Sequence, residues 1–293
     1  MLSSHYTGNP AVDFLKKPYT GSPEQLIQLY ARFLLHTSGV YQLPVPLERV
    51  HGYFGFSVQD NTSLEQHGLT TEDLRIFLNA DDRPTVKKFT LAHELIEIFF
   101  FALKDGAADE WMSDEMFTVL CDNKERFCDR GAAELVMPLP HFQQLATKQP
   151  LSLQWAEEVA TRCKVSLSAT LCRIIETQLA PAVFITWRYK HSPKEFIPSK
   201  IGQGNLFGSP EEMDPPKKMR VEKVYSPLGS PFIPADKSVP EESSIHQAFL
   251  CDKPTAAFED LDLVGIRGRF FVESRPFTVD GERRVMSLLH LDT

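Results

Sequence analysis

The chain has 293 residues, 42% of them hydrophobic and 24% charged, which is the balance of a folded globular protein and excludes a disordered or fibrous one. A formal net charge of -8 gives a field that repels a phosphate backbone, so nucleic acid is a disfavoured partner. The five cysteines (Cys121, Cys128, Cys163, Cys172 and Cys251) are odd in number and lack CxxC spacing, which argues against a disulfide framework or cysteine zinc knuckle and for a reducing cytoplasm.

Residues 1–23 read as a polar tail, because no charged segment is followed there by the apolar run of a secretory signal. From Pro23, apolar side chains recur at helical spacing (Leu26, Ile27, Tyr30, Phe33, Leu34) and the pattern ends before a glycine, which predicts a first helix. PVPLERVHGYFGFSVQD predicts a short second helix and an aromatic-rich extended run, and LRIFLN at 74–79 predicts a strand, so a small sheet precedes the next helix.

That helix follows Arg83-Pro84 and runs through TVKKFTLAHELIEIFFFALK. Most of its faces are apolar, so it is expected to be buried, and the His and Glu residues within it need partners or a task. Its longest apolar stretch, Leu95 to Leu103, is interrupted by Glu97 and is about half the ~20 residues of a membrane span. A loop, then one helix from about Ser113 to Met137, is predicted next, with Phe117, Leu120, Cys121, Cys128, Ala132 and Leu135 on one stripe and Pro138 as terminator.

Residues 151–179 read as two helices broken near Lys164-Val165, with Ser166 as N-cap, in the manner of a helix-turn-helix. The second helix offers a single Arg and few base-reading side chains, so the pair reads as scaffold. The Pro-rich stretch that follows reads as a connector, and PPKKMRVEK within it as a solvated loop rather than a targeting signal. The expected organisation is a polar tail (1–23), a first folded domain (24–150), a helical segment (151–187), a connector (188–237) and a small β-rich domain (238–293), an α+β protein.

The chemistry lies in His93-Glu94-Leu95-Ile96-Glu97. Positions i and i+4 share a helix face, so His93 and Glu97 are placed to bind one ion, while Glu94, about 100° round, is placed to address a bound water. A catalytic zinc needs a third protein donor. The next helix offers Glu125 and Glu134, about 180° apart on the helix, and spacing alone does not choose between them. Glu134 reads as a solvated position, with Gly131 and its alanines marking close helix packing, and His141 as a surface histidine.

KKFTLAHELIE followed by ERFCDRGAAELVMP resembles the ImmA/IrrE family of metallopeptidases, whose motifs are RFTLAHELxH and ExxxNxFAxxLLMP, and the resemblance extends over about residues 24–187. It implies a zincin-like fold in which His93, Glu97 and Glu125 are metal ligands and Glu94 is the general base. Glu97 stands where the family usually has His, and Asp129 and Gly131 where it has Asn and Phe. One His with two carboxylates lowers the Lewis acidity of the ion and favours harder metals, so Mn²⁺ or Fe²⁺ joins Zn²⁺ as a candidate.

The resemblance further implies a cytoplasmic endopeptidase acting on one or a few protein substrates, such as a helix-turn-helix repressor in a stress or mobile-element response. The alternatives are a catalytically inactive sensor or protein-binding module, which the Glu97 substitution keeps open, and direct transcriptional regulation through residues 151–179.

Overall fold

The computed structural model of the chain describes residues 8–192, 216–227, 229–230, 232–279 and 281–291. The chain divides into two compact units, Met1–Pro150 with Trp155–Arg173, and Leu151–Gln154 with Ile174–Thr293. The architecture is mixed α+β. Among the described residues no helix is long and apolar enough to cross a membrane.

The first unit opens with α1 (Pro10–Leu15), inside the stretch read as a polar tail. Asn9 caps it by accepting from Ala11 N, and Ala11 and Leu15 are fully buried. A six-residue helix is too short for its periodicity to stand out in the sequence. Next come α2 (Pro23–Thr37), whose Ser22 and Gln25 form a reciprocal capping box, and α3 (Leu47–Phe54), which ends on the left-handed Gly55.

Three short strands follow: β1 (Ser57–Asn61), β2 (Gly68–Thr70) and β3 (Arg75–Asn79). Their order is β1-β3-β2, with β1 parallel and β2 antiparallel to β3, and Leu69 pairs with Phe77. The central helix α4 (Pro84–Lys104) starts on the expected proline and buries residues all round, among them Leu91, Leu95, Ile98, Phe99 and Leu103. It packs against α1, β2, β3 and, most extensively, α6.

The single helix expected from Ser113 to Met137 is two: α5 (Asp114–Asp122) and α6 (Lys124–Val136). The break is Asn123, at φ -117° and ψ 27°, whose side-chain amide bonds back to Val119 O. The turn redirects the chain, so the expected continuous stripe fails at its start: Phe117 is exposed, whereas Cys128, Ala132 and Leu135 are buried. On α6, a Cβ at Gly131 would lie 2.7 Å from Ile96 Cγ2 and 2.8 Å from Ile27 Cγ2, so the missing side chain is what lets α6 approach α4 and α2.

Glu134 is not solvated as expected but fully buried. Arg32 Nε on α2 donates to its Oε1 at 2.7 Å, Arg173 donates to Oε2, and Leu139 N lies 3.3 Å from Oε1. Two cations and a backbone donor offset the desolvation of one carboxylate. The unit continues with α7 (Leu139–Ala146), α8 (Leu153–Cys163) and α9 (Leu167–Glu176). The break expected near Lys164 is there, Lys164 lying in the left-handed region (φ 55°), and Ser166 Oγ accepts from Ala169 N as the N-cap reading anticipates.

The second unit holds β4 (Ala182–Lys190), β5 (Lys218–Tyr225), α10 (Ser244–Cys251), β6 (Thr255–Asp262), β7 (Arg267–Val279) and β8 (Glu282–His290). The strands form one antiparallel sheet in the order β5-β4-β8-β7-β6, and α10 lies against β6, β7 and β8. Its core gathers Val183, Ile185, Trp187, Ile245, Val272 and Leu289. Strand β5 corrects the reading of KKMRVEK as a solvated loop, since Met219, Arg220 and Val221 are buried. Residues 193–215 of the expected connector lie outside the described residues.

Candidate metal centre

Helix α4 presents His93, Glu94 and Glu97 because its other positions are taken up by packing. His93 faces the first turn of α6, with Nε2 3.4 Å from Glu125 Oε2 and Nδ1 2.9 Å from Asp129 Oδ1. Glu125 and Asp129 are one helical turn apart on α6, so one exposed edge of that helix holds both ends of the imidazole. An Nδ1–H donated to Asp129 leaves the Nε2 lone pair directed toward Glu125.

Burial works against charging His93, but the hydrogen bond to Asp129 and the charges of Asp129, Glu94 and Glu125 outweigh it and hold the imidazole above its ordinary value. Glu94 is buried. Desolvation raises its carboxyl above the usual range, the charge of Glu97 adds to this, and a hydrogen bond from Thr70 Oγ1 at 2.7 Å opposes it. Gly68, on the same short strand, comes so close that a Cβ there would lie 2.6 Å from Glu94 Oε1. Strand β2 thus encloses one side of the Glu94 carboxylate.

Glu97 does not meet His93 or Glu125 directly. Its Oε1 takes an ion pair from Lys124 Nζ, which also lies 3.9 Å from Glu125 Oε1. Burial disfavours the ammonium, yet the bond to Glu97 and the surrounding carboxylates raise Lys124 above the usual lysine value. Among the described residues no three His, Cys, Asp or Glu side chains come together as a metal-holding group. The donor chemistry nonetheless suits a divalent ion: two donors at ~2.0–2.2 Å from one ion stand about 3 Å apart. His93 and Glu125 are near that separation, and Glu97 is the one donor engaged elsewhere.

Of the four residues read from the sequence, the structure brings His93 and Glu125 together, sets Glu94 beside β2, and turns Glu97 to Lys124. Lys124, Thr70 and Gly68 were not anticipated. The signal for Lys124 was its place beside Glu125, which mattered only once the α4–α6 docking was known. His141 is exposed on α7, as read. Cys128 is a core residue, its thiol raised strongly by burial, and Cys121 is only partly buried. A separate groove of about 1040 Å³, lined by Pro44, Leu47, His51, Lys88 and Val165 among others, includes none of the four.

Residues 54–174 match the family described as an IrrE N-terminal-like domain, Peptidase_M78. Over 112 residues the chain is 30% identical to the radiation response metalloprotease IrrE of Deinococcus deserti, an alignment covering 37% of this chain and 38% of that relative. The match thus spans well under half of the relative's length. A Mycobacterium tuberculosis transcriptional regulator superposes with a TM-score of 0.56 at 15% identity, over 96% of this chain and 80% of that one. At that identity the likeness is one of fold.

Proposed function

We propose, on the match of residues 54–174 to the IrrE N-terminal-like Peptidase_M78 family, that the chain is a metal-dependent endopeptidase with a zincin-like layout. Its substrates are one or a few regulatory proteins, such as a helix-turn-helix repressor of a stress or mobile-element response in the cytoplasm. The observation that carries the reading is the approach of His93 on α4 to Glu125 on α6 at 3.4 Å, with Glu94 adjacent and buried beside β2.

His93, Glu97 and Glu125 would hold the ion, Zn²⁺ or one of the harder Mn²⁺ and Fe²⁺. When bound, such an ion polarises a scissile carbonyl and acidifies a water. Glu94, its basicity raised by burial, accepts a proton from that water and returns it to the leaving amine. Thr70 fixes the orientation of the Glu94 carboxylate, and Asp129 fixes the His93 ring. The β-rich unit that follows serves as a regulatory or substrate-reading domain.

A second reading has its own observation. The ion pair of Lys124 with Glu97 satisfies the cluster without a metal and favours an inactive family member acting as a sensor or protein-binding module. Incubation of the full chain with a panel of helix-turn-helix repressors separates the two. Cleavage that is lost with chelator and in Glu94→Gln supports the peptidase; a stable complex with no cleavage at any metal concentration supports the binding module.

A further inference from the structure

Lys124 is the first residue of α6 and immediately precedes Glu125, so the helix that positions one proposed ligand also positions this lysine. Its ammonium is paired with Glu97 and lies 3.9 Å from one oxygen of Glu125, while the other oxygen of Glu125 faces His93 at 3.4 Å. The positive charge therefore sits among the carboxylates that a divalent ion would need. One of the three donors, Glu97, is paired with this cation, and among the described residues no three donors form a metal-holding group.

We propose that Lys124 is a tethered competitor for the metal: its ammonium holds the place of the ion and must swing away before the ion is bound. The inference rests on the reading of His93, Glu97 and Glu125 as ligands. The geometry permits the exchange. The Lys124 side chain is 27% exposed and Glu125 is 78% exposed, so the four-carbon stem has an open path to solvent without movement of α6. Glu97 is what makes the competition strong, because a neutral imidazole at that position would offer the ammonium no opposite charge. The same carboxylate thus supplies an oxygen donor to the ion and an anchor to its rival. Occupancy then depends on free metal concentration over a higher range than an unopposed site of this donor set would show.

The test is the zinc affinity of the full chain, measured by competition with a chromophoric chelator, for the native protein, Lys124→Met, Lys124→Arg and Glu125→Gln, each checked for folding by circular dichroism. The expected result is binding at least about tenfold tighter in Lys124→Met, equivalent to about 1.4 kcal/mol. Lys124→Arg should stay near the native value, and Glu125→Gln should bind far more weakly. Native binding that depends on Glu125 but is unchanged or weakened in Lys124→Met would overturn the competition while leaving the ligand reading intact. Absence of binding in both native protein and Lys124→Met would remove the ligand reading, and the competition with it.

Discussion

Helix α6 carries two clusters of carboxylate and cation that differ in every respect that matters. At its C-terminal half, Glu134 is fully buried and held by Arg32 and Arg173, the latter itself only 3% exposed. At its N-terminal end, Glu125, Asp129 and, across from them, Glu97 share one lysine and one histidine at a partly open edge. In the first cluster the carboxylate itself is closed off and shared by two guanidiniums, although Arg32 reaches solvent and is 44% exposed. The second has more carboxylates than cations, and its lysine is partly exposed. A carboxylate that is itself buried marks a structural device, whereas carboxylates as exposed as Glu125 (78%) leave room for a ligand.

The comparison predicts unequal costs of breaking the two. Glu134→Gln removes the buried charge to which both Arg32 and Arg173 donate and is expected to lose about 3 kcal/mol in urea unfolding, the usual scale for breaking a buried pair. A loss no greater than that of Glu125→Gln would erase the distinction between the clusters. Gly131→Ala, which forces a methyl against Ile96 and Ile27 between the two, should cost roughly 1–3 kcal/mol by overpacking, again read from unfolding midpoints.

The open cluster should also be the one that responds to pH. His93 has its proton affinity raised in the fold, so the stability from its bonds to Asp129 and Glu125 is fully present below the ordinary histidine value of ~6.5 and is lost as pH rises through the raised value. Metal-free native protein is expected to lose stability over that window, and Asp129→Asn to show a shallower slope; equal slopes would show that His93 is not the titrating group. The smallest effect is expected for Lys124→Met in metal-free protein. Its pair is only partly exposed, and the change in unfolding free energy should be about 1.4 kcal/mol, the counterpart of the tenfold change expected in zinc affinity.

Helix α4 was legible in the sequence because it begins on Pro84 and is apolar on nearly all sides, which singled out the His-Glu-x-x-Glu inside it. Periodicity could show that Glu134 points away from His93 and no more. That face of α6 is covered by α2 and α9, a non-local arrangement, so pointing away from His93 meant entering the core rather than solvent. The pair of Lys124 with Glu97 joins residues on two helices and exists only through their docking, and the break at Asn123 that starts α6 at Lys124 was hidden by a stripe running across it. Strand β5 was obscured by its composition: as an edge strand it shows Lys218 to solvent beside the buried Met219, which reads as a charged loop.

The family-matched segment begins at Phe54, the last residue of α3, and so leaves out α1 and α2. Those helices are not appendages. Arg32 of α2 neutralises Glu134, Ile27 fills the space above Gly131, and Asn9 Nδ2 at the head of α1 bonds to Ile98 O on α4, while Trp111 Nε1 donates to Leu15 O. Excising residues 54–174 as a portable catalytic cassette would strip a counter-ion from a buried carboxylate and lay bare Phe99 and Ile96. The smallest transplantable piece of this protein therefore starts upstream of Asn9, and grafting experiments or domain swaps designed on the motif boundaries alone would begin from a core already opened.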